Sequence, residues 1–176
     1  MGHRNAQNDR HTPAGYPFHL MARLGVLLAA LILLLVVCRD CRAATLPDSL
    51  WLNVGGVSVH NKGGLNNVNP ALAIEARWGD EFAITGGQLR NSQAARSRFL
   101  AAIYTPWATS TPLGTLRVGF TAGAIDGYTA NNGRAIPVAG ATAALTMGPV
   151  ELGLLGVPAS PRSAAVITLM FKVRLP

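Results

Sequence analysis

Residues 167–175 alternate without a break. Ile167, Leu169, Phe171, Val173 and Leu175 share one side of an extended chain, and Thr168, Met170, Lys172 and Arg174 share the other. Only a repeat of two residues separates them this cleanly. The same division sets Leu72, Ile74, Ala76 and Trp78 against Ala73, Glu75 and Arg77, and Leu116, Val118, Phe120 and Ala122 against Arg117, Gly119, Thr121 and Gly123. Read this way, the chain holds eight strands, at about 50–60, 70–78, 81–90, 95–105, 114–125, 135–146, 149–157 and 163–175. Alternating segments of roughly ten residues, separated by turn residues, are the pattern of membrane barrels, whose smallest common size is eight strands.

Alternation does not say which face is inside, because a soluble lipocalin-like barrel has the same period with its apolar side inward. The charges separate the two. Residues 44–176 carry ten Lys or Arg and six Asp or Glu, a net charge of +4. These sixteen are about 12% of that stretch, against roughly 25–35% on a surface built for water. The stretch 135–146 has no charge at all. The expected fold is therefore all-β: an eight-stranded antiparallel up-and-down transmembrane β-barrel. Its lumen would hold the polar positions, interleaved with Gly, Ala and Thr that fit a narrow interior. Trp51, Trp78, Tyr104, Trp107 and Tyr128 fall near strand ends, where an aromatic girdle would sit.

The first 43 residues read differently. Leu24–Cys38 is an apolar run too short for a helix crossing a bilayer, which needs roughly 20 residues. With Arg23 before it and Cys41-Arg42-Ala43 after it, the run has the form of a cleaved signal peptide, with the cut ahead of Ala44. Met21 makes a better start for such a signal than Met1. Cys38 and Cys41 form a C-x-x-C that would leave with the signal, so no disulfide, redox pair or half zinc site is expected in the barrel. Residues 44–176 suffice for one domain. The implied location is the bacterial outer membrane.

With both termini periplasmic, the odd-numbered links face outward and should be the longer ones. The first, 61–69, is rich in Asn and Gly, and the fifth carries Asp126-Gly127 and Asn132-Gly133. The even-numbered links Gly79-Asp80 and Met147-Gly148-Pro149 are tight. The fourth, 105–113, is too long for a periplasmic turn. Gly55-Gly56 and Gly86-Gly87 mark bulges or close packing within strands.

No His/Cys cluster, no strand-borne G-x-G-x-x-G and no G-x-S-x-G occurs, so neither a metal nor a cofactor is expected. The arginines are dispersed without an aromatic stripe, which argues against nucleic acid. His60 is the only histidine of residues 44–176, so histidine acid–base chemistry would fall to it. It closes the first strand, and Asn91-Ser92 lies in the third link on the same rim. One strand separates the two, roughly 10 Å at about 4.8 Å per strand, so the side chains could converge. The plainer reading makes His60 a strand-end residue and Asn91-Ser92 good turn chemistry.

Gly119-Phe120-Thr121-Ala122-Gly123, Ile136-Pro137-Val138, Gly148-Pro149 and Phe171-Lys172-Val173 resemble the second half of the lipid A palmitoyltransferases of enterobacterial outer membranes, the PagP-like family. Asn67 to Pro70 resembles that family's Asn-rich segment, and Gln88 to Ser92 the segment with its catalytic Asp-Ser pair. The resemblance implies an eight-stranded barrel that moves a palmitoyl chain from phospholipid to lipid A with a His, an Asp and a Ser at the outer rim. The serine falls on Ser92 and the aspartate on Asn91. A neutral amide cannot stabilise an imidazolium as a carboxylate does. The histidine falls on His60 or, counting without a gap from Pro70, on Asn53. Asp126, in the fifth link, is a substitute carboxylate. The family's helix before the barrel is missing. The resemblance thus implies a lipid A acyltransferase with outer-membrane phospholipid and lipopolysaccharide as partners, and the barrel is expected to be a monomer. The alternative is a non-catalytic structural or lipid-binding barrel, and a soluble periplasmic carrier is a third class.

Overall fold

The computed structural model describes residues 46–160 and 163–176, so the stretch expected to be a signal peptide, residues 1–43, and both cysteines lie outside the described residues. Eight strands follow one another: β1 Ser49–His60, β2 Val68–Trp78, β3 Phe82–Arg90, β4 Arg96–Thr111, β5 Gly114–Ile125, β6 Ile136–Met147, β7 Val150–Val157 and β8 Val166–Arg174. Each pairs antiparallel with the next, and β8 returns to β1, so the barrel closes without a free first or last strand. Closure removes the unpaired edges that an open sheet would present.

The wall is inside out relative to a soluble protein. Leu72, Leu100, Phe120 and Ile167 are each more than half exposed on the outer face, joined by Val57, Val59, Ile84, Val118, Leu152, Leu154, Leu169 and Phe171. The largest side chains sealed from solvent are Glu75, Glu151, Asn91 and Ser97. Lys and Glu are almost never fully buried unless paired. A polar axis inside an apolar wall is what a barrel in lipid requires, because the solvent outside is hydrocarbon.

Two irregularities decide how the strands run. In β1 the register shifts between Asn53 and Gly55, and Gly55 takes a φ of +98°, which a residue without Cβ adopts at little cost. The extra residue reverses the parity: Asn53 points inward before the bulge and Ser58 after it, so Val57 and Val59 reach the outer face. In β4 a second shift lies between Tyr104 and Trp107, at Pro106, where a proline removes one ladder donor. The strand nevertheless continues to Thr111, and the chain turns through 112–113. The expected long fourth link is therefore a strand extension with a tight turn. Proline and the bulge had interrupted the period that would have revealed it.

With that corrected, the even-numbered links are all short (79–81, 112–113 and 148–149). The odd ones at the other end are longer (61–67, 91–95, 126–135 and 158–165). Trp78, Tyr104 and Trp107 sit on the wall near the end that carries the termini, with Trp78 5.9 Å from Phe82 and Trp107 6.0 Å from Phe120. Trp51 does not belong to this girdle. It is buried in the lumen, its ring 4.3 Å from the Arg77 guanidinium carbon.

Candidate functional site

The lumen has two layers of different chemistry. Near the terminal end, β2, β5, β7 and β8 each contribute charge. Arg77 lies between two carboxylates: its Nε donates to Glu75 Oε1 at 2.6 Å, and Nη1 and Nη2 donate to the two oxygens of Glu151 at 2.8 and 2.7 Å. Lys172 Nζ donates to Glu75 Oε2 at 2.6 Å and lies 3.1 Å from Glu151 Oε1. Arg117 donates to Glu151 and to Thr146 Oγ1, and its Nη1 lies 3.3 Å from Asp80 in the turn below. Three cations thus meet Glu75, Glu151 and Asp80, and charges taken from water are compensated by paired, bidentate contacts. A cavity of only about 20 Å³ remains beside this cluster, lined among others by Arg77, Ile103, Arg117 and Lys172. Ligand pockets run to roughly 300–1,000 Å³. A larger hollow of about 610 Å³ lies at the terminal end, against Asp48, Leu50, Pro149 and Arg174, away from the rim residues.

Toward the loop end the buried groups are neutral. Ser58 Oγ donates to Asn69 Oδ1 at 2.6 Å and lies 2.9 Å from Thr168 Oγ1, and Asn69 Nδ2 donates to Arg90 O. Above them the fold brings His60, Asn91, Ser92 and Asp126 to one rim, as expected. Among the described residues, no hydrogen bond or ion pair joins any two of the four side chains. His60 Nδ1 lies 3.0 Å from Asn67 Oδ1. Ser92 carries Asn66 on its carbonyl, and its side chain lies near the Tyr128 phenol. Burial pushes the Tyr128 phenol up, and the neighbouring Ser92 side chain opposes the shift. Asp126 accepts from the backbone N–H of Arg98 at 2.6 Å and from its Nε at 2.9 Å. These contacts, the backbone N–H foremost, hold its carboxyl below the usual range.

Asn91 is the most constrained of the four, at 1% exposure. Its Oδ1 accepts from the backbone N–H groups of Gln93 and Ala95 at 2.8 and 3.1 Å. Its Nδ2 donates to Ser97 Oγ and to Gly127 O at 2.9 and 3.1 Å. Both donors and both acceptor positions of the amide are filled, so none is left for an imidazole. Asn53 is not on the rim. It lies in the lumen at the β1 bulge, where Oδ1 accepts from Gly55 N–H and Nδ2 reaches Met170 Sδ at 3.7 Å.

Sequence reasoning found the inward faces that carry Glu75, Arg77, Arg117 and Lys172, but not that they converge, and it missed Glu151. Isolated charges of opposite sign on otherwise apolar strands were the available signal. No protein-family model matches the chain, and no curated protein matches it. Solved structures are similar in fold. A de novo designed protein, TMB2.3, solved by solution NMR, has a TM-score of 0.54 at 15% identity, over 76% of this chain and 98% of its own. The N-terminal β-barrel domain of Pseudomonas aeruginosa OprF has a TM-score of 0.49 at 13% identity, over 74% of this chain and all of that domain. Closed topology, apolar wall and charged lumen together define the class: a transmembrane β-barrel of eight antiparallel strands.

Proposed function

We propose that this protein is a bacterial outer-membrane barrel with a non-catalytic role, structural or lipid-binding, whose lumen is closed by its own ion pairs. The observation that carries this reading is the cluster of Glu75, Arg77, Arg117, Glu151 and Lys172 across the axis. A lumen that accommodates a fatty acyl chain needs an apolar bore, and here that space is taken by guanidinium, ammonium and carboxylate groups. The amide of Asn91 is saturated by its own loop, by Ser97 on β4 and by Gly127 in the fifth link, which supports the same reading. A signal peptide ending at Ala43 and an outer-membrane location accord with an exported barrel of this size.

A second reading, lipid A acyl transfer with Ser92 receiving or relaying the acyl group and His60 as base, draws on the rim. Asn66 bonds the Ser92 carbonyl and its neighbour Asn67 bonds His60, so one loop ties both residues to the same side of the barrel. Lipid A from phosphate-labelled cells expressing the barrel separates the two readings. The non-catalytic reading expects no added acyl chain from the wild type or from Asn91→Asp. A hepta-acylated species that disappears in His60→Ala or Ser92→Ala, with the barrel still folded, would replace it with the enzyme.

A further inference from the structure

Charge is distributed unevenly along the barrel axis. At the loop end the described residues include Lys62, Arg90, Arg96, Arg98 and Arg134 against Asp126 alone. The rest of the barrel carries four cations and five carboxylates, Asp48, Glu75, Asp80, Glu81 and Glu151. Three of the loop-end arginines are concentrated on one piece of wall. Arg90 and Arg96 are direct cross-strand partners at the end of β3 and β4, and Arg98 faces Gln88 one step below. All three are exposed and alternate with inward residues such as Ser97, so they stand on the outer face, in line with Leu100 and Ile84. At the same height on β1 and β8 the wall is apolar, with Val59 opposite Ile167.

Like charges directly opposite on adjacent strands repel. Asp126 answers only Arg98. Arg90 reaches no more than the Ala94 carbonyl, and the Arg96 guanidinium has no hydrogen bond or ion pair among the described residues. The wall therefore presents uncompensated guanidinium groups at the edge of an apolar band. A guanidinium pairs with phosphate in bidentate fashion. The adjoining Leu72, Ile84 and Leu100 are exposed and suited to acyl chains.

We propose that the outer face of β3 and β4 is a docking surface for a phosphate-bearing lipid, whose headgroup meets Arg90, Arg96 and Arg98 while its chains lie along Leu72, Ile84 and Leu100. This rests on the outer-membrane reading above, and in that membrane the loop end faces the leaflet built from phosphorylated glycolipid. A free anion would gain only the charged part of the site, so the lipid is the committed occupant.

Native mass spectrometry of the folded full chain, released from detergent with added lipid A, tests this. The wild type should retain lipid A roughly tenfold better than dephosphorylated lipid A, and Arg90→Gln/Arg96→Gln should lose about that factor. Lys62→Gln/Arg134→Gln, which removes as much charge from the loops, should change retention less than about twofold. Added inorganic phosphate should not displace the lipid. Equal retention of both lipids by the wild type overturns the proposal, and it decides even if the arginine variant does not fold. So do an unaffected arginine variant, an equal loss in the loop variant, or displacement by phosphate alone, which would mark a free-anion site. Failure of the outer-membrane reading is distinguishable, because the chain would then not form a heat-modifiable barrel in detergent at all.

Discussion

An aspartate at position 91 could not make the bonds that Asn91 makes, because two of them are donated by the amide nitrogen, to Ser97 Oγ and Gly127 O. Asn91→Asp would bury a carboxylate against a carbonyl oxygen. The expected outcome is destabilisation by about 2–4 kcal/mol, measured by denaturant unfolding in lipid vesicles. A variant as stable as the wild type would mean that the amide is interchangeable there. Asp126 makes a different prediction. Its carboxyl is depressed first by the Arg98 backbone N–H and then by the guanidinium. A depressed carboxylate adds stability that is present above its unfolded pKa, about 3.9, and is lost as pH falls through the folded value. An NMR titration should place the Asp126 midpoint below that reference, and still below it in Arg98→Gln, where the backbone donor remains. A midpoint at or above the reference would contradict the contact.

Among the strands, β7 shows how little one element says by itself. Glu151 is its only charge, yet that side chain meets Arg77 from β2, Arg117 from β5 and Lys172 from β8. Glu151→Gln leaves three buried cations with a single interior carboxylate, Glu75, and should cost about 3–5 kcal/mol. Trp51, stacked on Arg77, should report the loss by its fluorescence. A change under about 1 kcal/mol would mean that the lumen is wet enough to solvate these charges. The strand period was legible wherever the wall is regular, as in β2, β5 and β8, because lipid on one side and a packed axis on the other enforce strict alternation. It failed at Pro106, where an inserted residue changes parity through backbone geometry that side-chain polarity does not record, whereas the bulge at Gly55 was marked by its glycine pair within a strand read at about 50–60. The rim position of His60, Asn91, Ser92 and Asp126 followed from topology. The saturation of Asn91 did not, because its partners come from positions 93, 95, 97 and 127.

At the scale of the molecule, three asymmetries run along one axis: short turns and termini at one end with long loops at the other, ion pairs low in the lumen with neutral hydrogen bonds above, and excess positive charge at the loop end. All are read on a wall that turns its apolar side outward, so the direction of the side chains in β8 is the property to measure. The test uses single cysteines at 167 to 171, in a chain with Cys38 and Cys41 replaced by serine, each labelled with a small fluorophore in vesicles of brominated lipid. Labels at Ile167, Leu169 and Phe171 should be quenched by the bromines, and those at Thr168 and Met170 should not. Equal quenching along the strand, or quenching of the odd positions by aqueous iodide instead, would contradict an apolar wall in lipid around a polar lumen.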